Sequence, residues 1–222
     1  MGRTATERPR TIRGVATRAR IVDAAADLMR AHGVAKTSLD EVLAASQASK
    51  SQLYHYFSDK DDLVLAVIQR QAECVLATHA SHLRGVTSLA GLRRWRDAVV
   101  ESTRREHCGG GCPLGSLVSE LAETPRPRAA LAAGFERWHG VFVSALEGLW
   151  ADAGLQSRAG LGDLATTLLA ALQGGLLLAQ TTRSTRPLEL VLDAAIDQVA
   201  ARLTSAPGAR SRRIAVRSRP GR

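Results

Sequence analysis

Three helix-start signals crowd into residues 37–61, each a polar residue with an acid or amide three positions on: Thr37 with Asp40, Ser49 with Gln52, and Ser58 with Asp61. Between the first two there is space for about two helical turns and a link of roughly three residues, Ser46, Gln47 and Ala48. A chain punctuated this closely cannot run a long helix here and must build a core from short ones. The layout is that of a helix-turn-helix, whose second helix enters DNA. Leu53 and Phe57 give that second helix an inward face, which leaves Lys50, Ser51, Gln52, Tyr54, His55 and Tyr56 outward.

The cations follow the same pattern. All three lysines of the chain, Lys36, Lys50 and Lys60, stand just before or at the start of one of these helices, while every other basic residue except histidine is arginine. An exposed lysine is usually just solvated. Three in register with three helix starts point instead to phosphate, because a cation and free backbone N–H groups at one helix end hold an anion together.

Elsewhere the periodicity is helical and no alternating strand pattern is sustained, so the expected fold class is all-α. Ile21, Val22, Ala25, Leu28 and Met29 mark a first helix over 17–32, closed by Gly33, and a fourth runs from Ser58 through Leu63, Val67, Ile68, Cys74 and Val75 toward Leu83. Glycine and proline breaks divide the remainder into helices near 88–107, 113–123, 126–153, 160–183 and 187–203. Leu164, Leu168, Leu172 and Leu176, with Leu190, Ala194, Asp197 and Ala201, line the last two, which suggests a helix pair that packs against a second copy of itself, with a plain intramolecular core as the alternative. The net charge of +9 is concentrated at the ends: residues 1–20 carry +5, 204–222 carry +6, and the body between them −2. The expected organisation is a basic disordered arm over 1–16, a DNA-binding domain over 17–77, a helical domain over 78–203 and a basic disordered tail over 204–222. The arginine-rich start lacks the apolar stretch of a secretory signal, and no later segment reads as an uninterrupted membrane span, so a cytoplasmic protein without a membrane partner is expected.

Residues 17–75 resemble the TetR-type transcriptional regulators. The resemblance is carried by Ile21-Val22-Asp23-Ala24-Ala25, Leu28, Gly33, Thr37-Ser38-Leu39 and above all Ser49-Lys50-Ser51-Gln52-Leu53-Tyr54-His55-Tyr56-Phe57, followed by Asp59-Lys60. It implies a three-helix DNA-binding domain joined by a fourth helix to a helical ligand-binding and dimerisation domain. It also implies a homodimer that contacts a palindromic double-stranded operator and is released by a small-molecule inducer. By resemblance, Ser51 and Gln52 face bases, while Thr37, Lys50, Tyr54, Tyr56 and Lys60 are near phosphate or sugar; His55 suits either role or the plain helix surface, and Lys36 and Ser49, at helix starts, complete the candidate DNA-binding set. The chemistry agrees: glutamine pairs bidentately with adenine, and lysine and tyrosine suit phosphates. Where the family pattern has glycine in the turn this chain has Gln47, so a slightly different turn is expected.

The later part resembles one branch of that family through Gly111-Cys112-Pro113-Leu114-Gly115-Ser116-Leu117 and the stretch from Leu172. On that basis Trp95, Leu117, Leu121, Trp138, Phe142, Gln173 and Leu176 are candidates to line an inducer cavity for an apolar or aromatic molecule, and ordinary core is the alternative for each. His107, Cys108 and Cys112 form the competing constellation. With Pro113 read as a first helical residue, Cys112 would sit at a positive helix end that lowers a thiol pKa, which permits a thiol-responsive or metal-responsive regulator or, with less support, a cysteine-dependent enzyme. Metal ligands usually come as four in tight pairs, and no serine, histidine and acid set stands at a catalytic spacing. The expectation is therefore no enzyme, no cofactor and no metal. A helical adaptor for protein partners would leave the polar cluster at 50–60 unexplained.

Overall fold

The computed structural model describes residues 12–155 and 158–205, and the described residues are helices joined by turns, with no strand among them. In chain order the helices are α1 (Ile12–His32), α2 (Leu39–Ser46), α3 (Lys50–Tyr56), α4 (Lys60–Leu83), α5 (Leu89–Arg105), a 3-10 turn (Gly115–Leu117), α6 (Val118–Leu121), α7 (Pro125–Asp152), α8 (Leu161–Thr182) and α9 (Arg186–Ser205). Residues 12–16, expected in a disordered arm, open α1, and Thr204 and Ser205 close α9; the rest of both basic ends lies outside the described residues.

The chain divides into two compact units. The first holds the residues up to Gln71 together with 117–130, and the second holds 72–116 and the residues from Leu131 on. The expected boundary at 77/78 thus falls a little earlier, inside α4. The first unit also includes a segment that the sequence pattern assigned to the helical domain.

In the first unit α1 packs on α2 and α3 and contributes Ile21, Val22, Ala25 and Met29 to a core shared with Val42 of α2, Leu53 of α3 and Leu63, Val67 and Ile68 of α4. Helix starts are fixed locally. Ser49 and Gln52 form the expected capping box, but the box of α2 is one residue later than expected, on Ser38 and Glu41. Thr37 faces inward there, 2% exposed, and its hydroxyl donates to the Gly33 carbonyl at 2.8 Å. At the start of α4 it is Asp59, not Ser58, whose side chain accepts a helical N–H, that of Asp62, at 2.8 Å. Segment 117–130 is tied in by Glu120, whose carboxylate accepts the N–H groups of Val34 and Ala35 at 3.0 and 3.1 Å, and by Arg126, which donates to Asp62 at 3.1 Å. The turn between α2 and α3 keeps the conformation that glycine favours, with Gln47 left-handed at φ 53°.

In the second unit α8 packs along α9, and α9 also packs on α5. Of the stripe expected to meet a second copy, the α8 half is internal, with Leu164, Leu168 and Leu172 buried and Leu176 half-buried, whereas the α9 half, Leu190, Ala194, Asp197 and Ala201, is exposed; α9 packs inward through Leu188, Leu192 and Ile196. The helices cross closely at Gly175, where a Cβ would lie 2.9 Å from the Leu188 Cα. The large apolar side chains exposed on this pair are Leu177 (63%) and Leu178 (47%) of α8 and the expected Leu190 (51%) of α9. Contrary to the sequence expectation, α8 is long and apolar enough to cross a membrane by length and composition alone. Its inward face is used in packing within the unit.

Two substitutions test this account by chemical denaturation. Gln47→Gly should stabilise the protein by about 0.5–1 kcal/mol by relieving a left-handed side-chain residue. Gly175→Ala should destabilise it by on the order of 1–3 kcal/mol, because the obstructing atom is backbone and cannot swing aside.

Candidate nucleic-acid interface and ligand cavity

Helix α3 has seven residues, too few to be stable alone, and it is held by what it buries. Leu53 is fully buried and Phe57, just past its end, is 2% exposed, with the Arg18 guanidinium 5.2 Å from the Phe57 ring centroid. At the other end the Ser49 N–H donates to Gln52 Oε1 at 2.9 Å, and the Gln52 N–H donates to Ser49 Oγ at 3.2 Å. Fixed at both ends, the helix presents Lys50, Ser51, Gln52, Tyr54 and His55 to solvent, with Tyr56 half-buried and its ring edge-on to His55 at 4.8 Å. Lys36 is exposed nearby, and half-buried Lys60 donates through Nζ to the Ala35 carbonyl at 3.4 Å. Gln52 spends one lone pair of Oε1 on the cap and keeps the amide N–H groups and the other lone pair for a base edge. Of the ten residues expected at DNA, nine share this outward surface or its margin; Thr37 is turned inward as a brace for the turn.

The second unit contains a cavity of about 370 Å³. Its walls include Val75, Thr78 and His79 of α4, Val99, Ser102 and Thr103 of α5, Cys112 and Pro113 of the following loop, Trp138 of α7 and Leu176 of α8. An aromatic cluster forms one side. The His79 and Trp138 rings are 4.7 Å apart, Trp95 meets Phe142 edge-on at 5.2 Å, and Trp95 Nε1–H donates to His79 Nδ1 at 3.0 Å. That bond leaves the proton of a neutral His79 on Nε2. Burial, aided by nearby His82, lowers the His79 pKa to about 4, so at neutral pH the imidazole is uncharged.

Residues 21–67 match the family model for bacterial regulatory proteins of the tetR family, and residues 88–194 match the model for the C-terminal domain of LmrA/YxaF-like transcriptional regulators. The two together span more than two thirds of the chain. The chain belongs to the TetR family. It is similar to an uncharacterized HTH-type transcriptional regulator in the lacX 3' region of Lactococcus lactis, with 28% identity over 80% of this chain and 90% of the relative. LmrA of Bacillus subtilis is 25% identical over 78% of this chain and 90% of its own length. Among solved structures, a TetR transcriptional regulator from Chloroflexus aurantiacus superposes with a TM-score of 0.70 at 25% identity, covering 88% of this chain and 98% of that one. Reduced NemR of E. coli superposes at 0.68 and 23% identity over 81% and 95%, which is a likeness of fold.

As a TetR-family protein the chain is a DNA-binding transcriptional regulator with an N-terminal helix-turn-helix. Of the seven residues expected at its cavity, Trp138 and Leu176 are in the wall. Trp95 and Phe142 are buried behind it in the aromatic cluster. Gln173 lies one helical turn before Leu176. Leu117 and Leu121 belong to the first unit, where they are buried. Sequence reasoning placed none of His79, Thr78 and Val99 at the cavity, and weighed His79 only with His82 as a possible metal pair. The only signal for His79 was a polar residue on the inward face of a long helix. Cys112 is not at a helix start, since Pro113 lies in a turn and the 3-10 segment begins at Gly115. Its sulfur accepts the Gly115 N–H at 3.2 Å, but burial outweighs this and pushes the thiol pKa up, opposite to the expectation for a reactive cysteine. Among the described residues no group of three or more histidine, cysteine or acidic side chains could hold a metal ion.

His79 also makes a stability prediction. Its pKa is about 4 when folded against 6.5 for a free histidine, so its contribution is complete above about pH 6.5 and falls away as pH drops toward 4, by on the order of 3 kcal/mol. Denaturation midpoints at pH 7 and pH 4.5 should differ by clearly less for His79→Asn than for the unaltered protein.

Proposed function

We propose that the protein is a homodimeric repressor, acting in the cytoplasm, that binds a near-palindromic operator through α3 and is released by a small apolar or aromatic molecule in the cavity of its helical unit. The observation that carries this reading is the presence in one chain of a rigidly capped helix with a polar outward face and a cavity walled by aromatic and apolar side chains. Exposed Leu177, Leu178 and Leu190 of α8 and α9 support a twofold contact there, since a soluble chain rarely leaves such residues clustered in water. A twofold dimer presents two copies of α3 to two half-sites. Ser51 and Gln52 then read bases, Lys36, Ser49, Lys50, Tyr54, Tyr56 and Lys60 hold the backbone, and His55 does either.

Release follows from linkage. A ligand that weakens operator binding a hundredfold must itself bind the DNA-bound protein a hundredfold more weakly, a coupling of about 2.7 kcal/mol. The chain passes between the two units at 71/72, 116/117 and 130/131, so α4 and the flanks of segment 117–130 carry that coupling. A monomer in sedimentation at micromolar concentration, with no retardation of DNA flanking its own gene, would sink the proposal.

The contact assignment has its own test. Gln52→Ala should change which operator bases are preferred. Lys60→Ala should weaken binding to all sequences alike and reduce the salt slope by about one. Affinities for an operator and its single-base variants at two salt concentrations should separate the two; identical behaviour would show that base readers and phosphate holders have been confused.

A further inference from the structure

The turn over residues 33–37 is clasped from three places in the sequence. From within, the Thr37 hydroxyl donates to the Gly33 carbonyl at 2.8 Å and the Thr37 N–H to the Val34 carbonyl at 3.3 Å. From the start of α4, Lys60 Nζ donates to the Ala35 carbonyl at 3.4 Å. From α6, Glu120 Oε1 accepts the Val34 N–H at 3.0 Å and Oε2 accepts that of Ala35 at 3.1 Å. The carboxylate lies against Gly33, where a Cβ would be 3.0 Å from Oε1, so a side chain at that position would contest its seat. Ala35 is thus bonded through its N–H to Glu120 and through its carbonyl to Lys60, and Lys36 follows it directly. Ala35, Lys36 and Glu120 are exposed, so water can replace these bonds and little folding stability depends on them. What they fix is direction: the backbone from which Lys36 projects, and the oxygen to which the Lys60 ammonium is tied.

Resting on the assignment of Lys36 and Lys60 to phosphate, we infer that Glu120 is a positioning residue for operator binding. It is an acid on the DNA-binding unit that raises affinity by holding the turn over 33–37, and through that turn both lysines, without touching DNA. Electrostatics alone has the opposite sign. An acid on such a unit repels phosphate, so neutralising it should tighten binding. A positioning role reverses the sign, because a lysine that is not already directed must lose its freedom when the DNA arrives. The size follows from the counterions: each neutralised phosphate adds about 0.9 to the salt slope, which makes one contact worth about eightfold at about 0.1 M salt. Two lysines left partly undirected therefore cost about fivefold to tenfold in affinity.

The test uses the full chain and the duplex that the unaltered protein selects from a random-sequence library, with affinities from fluorescence anisotropy at two salt concentrations. Glu120→Ala should weaken binding by about fivefold to tenfold, with a lower salt slope, an unchanged base preference and a denaturation midpoint close to that of the unaltered protein. Glu120→Gln, of nearly the same shape but able to accept only one of the two N–H groups through its oxygen, should weaken it less. Should Glu120→Ala not fold, Glu120→Gln carries the same comparison. The lysines decide the route. In a chain carrying both Lys36→Ala and Lys60→Ala, itself weaker on all sequences, a Glu120 substitution should have almost no further effect. Tighter or unchanged binding by the Glu120 variants would overturn the inference and leave the phosphate assignment standing. An equal loss with and without the lysines would also overturn it, since Glu120 would then support the unit at large. If the double lysine variant bound as tightly as the unaltered protein, the phosphate assignment would fall and the inference with it.

Discussion

A recognition helix of seven residues cannot exist on its own account, and the first unit is organised around that constraint. Nucleation would cost more than its few internal hydrogen bonds return, so the stability of α3 is borrowed from Leu53 and Phe57 inside and from the Ser49 box at its start. Those supports need the preceding turn to deliver the chain at one angle, which Gln47 does by accepting a left-handed backbone at a cost of about 1 kcal/mol. They also need the turn before α2 to hold. Thr37 braces it from within, and Glu120 caps it from a segment more than eighty residues away. With the backbone held this way, the outward face of α3 is left polar, with Gln52 on that face also serving the cap.

The second unit solves a different problem, how to keep a cavity from collapsing or filling with charge. Its buried imidazole and thiol, His79 and Cys112, are both kept neutral by burial, with Trp95 fixing the imidazole tautomer. Low dielectric strengthens that hydrogen bond and, for the same reason, makes the unpaired Trp138 donor expensive.

Much of this was legible in the sequence because it is local. The helix order follows the apolar period, and α3 with its Ser49 and Gln52 box and outward Lys50, Ser51 and Tyr54 can be read from adjacent residues alone. The box of α2 was misplaced by one position because Thr37–Asp40 and Ser38–Glu41 satisfy the same rule, and only packing decides which hydroxyl turns inward. The leucine stripe of α8 was assigned to a second copy because periodicity identifies a buried face without naming its partner; the partner proved to be α9. Leu117 and Leu121 were placed at the cavity for a similar reason. Glu120 was not legible at all, since a carboxylate capping a turn across such a distance leaves no mark in either local pattern.

That long-range cap bears on how a signal could reach DNA. The coupling needed for a hundredfold change in operator affinity is about 2.7 kcal/mol, while hydrogen bonds from backbone N–H groups to a carboxylate are each worth roughly 1.5–3 kcal/mol when shielded and less at a surface. Glu120 makes two of them and is exposed. Glu120 is therefore at the weak end of that range, and the Arg126–Asp62 pair at the start of α4 is likewise at the surface. Segment 117–130, bounded by two of the three chain crossings between the units, contains Glu120 and Arg126, and α4, which contains the third, has Asp62 in its first turn.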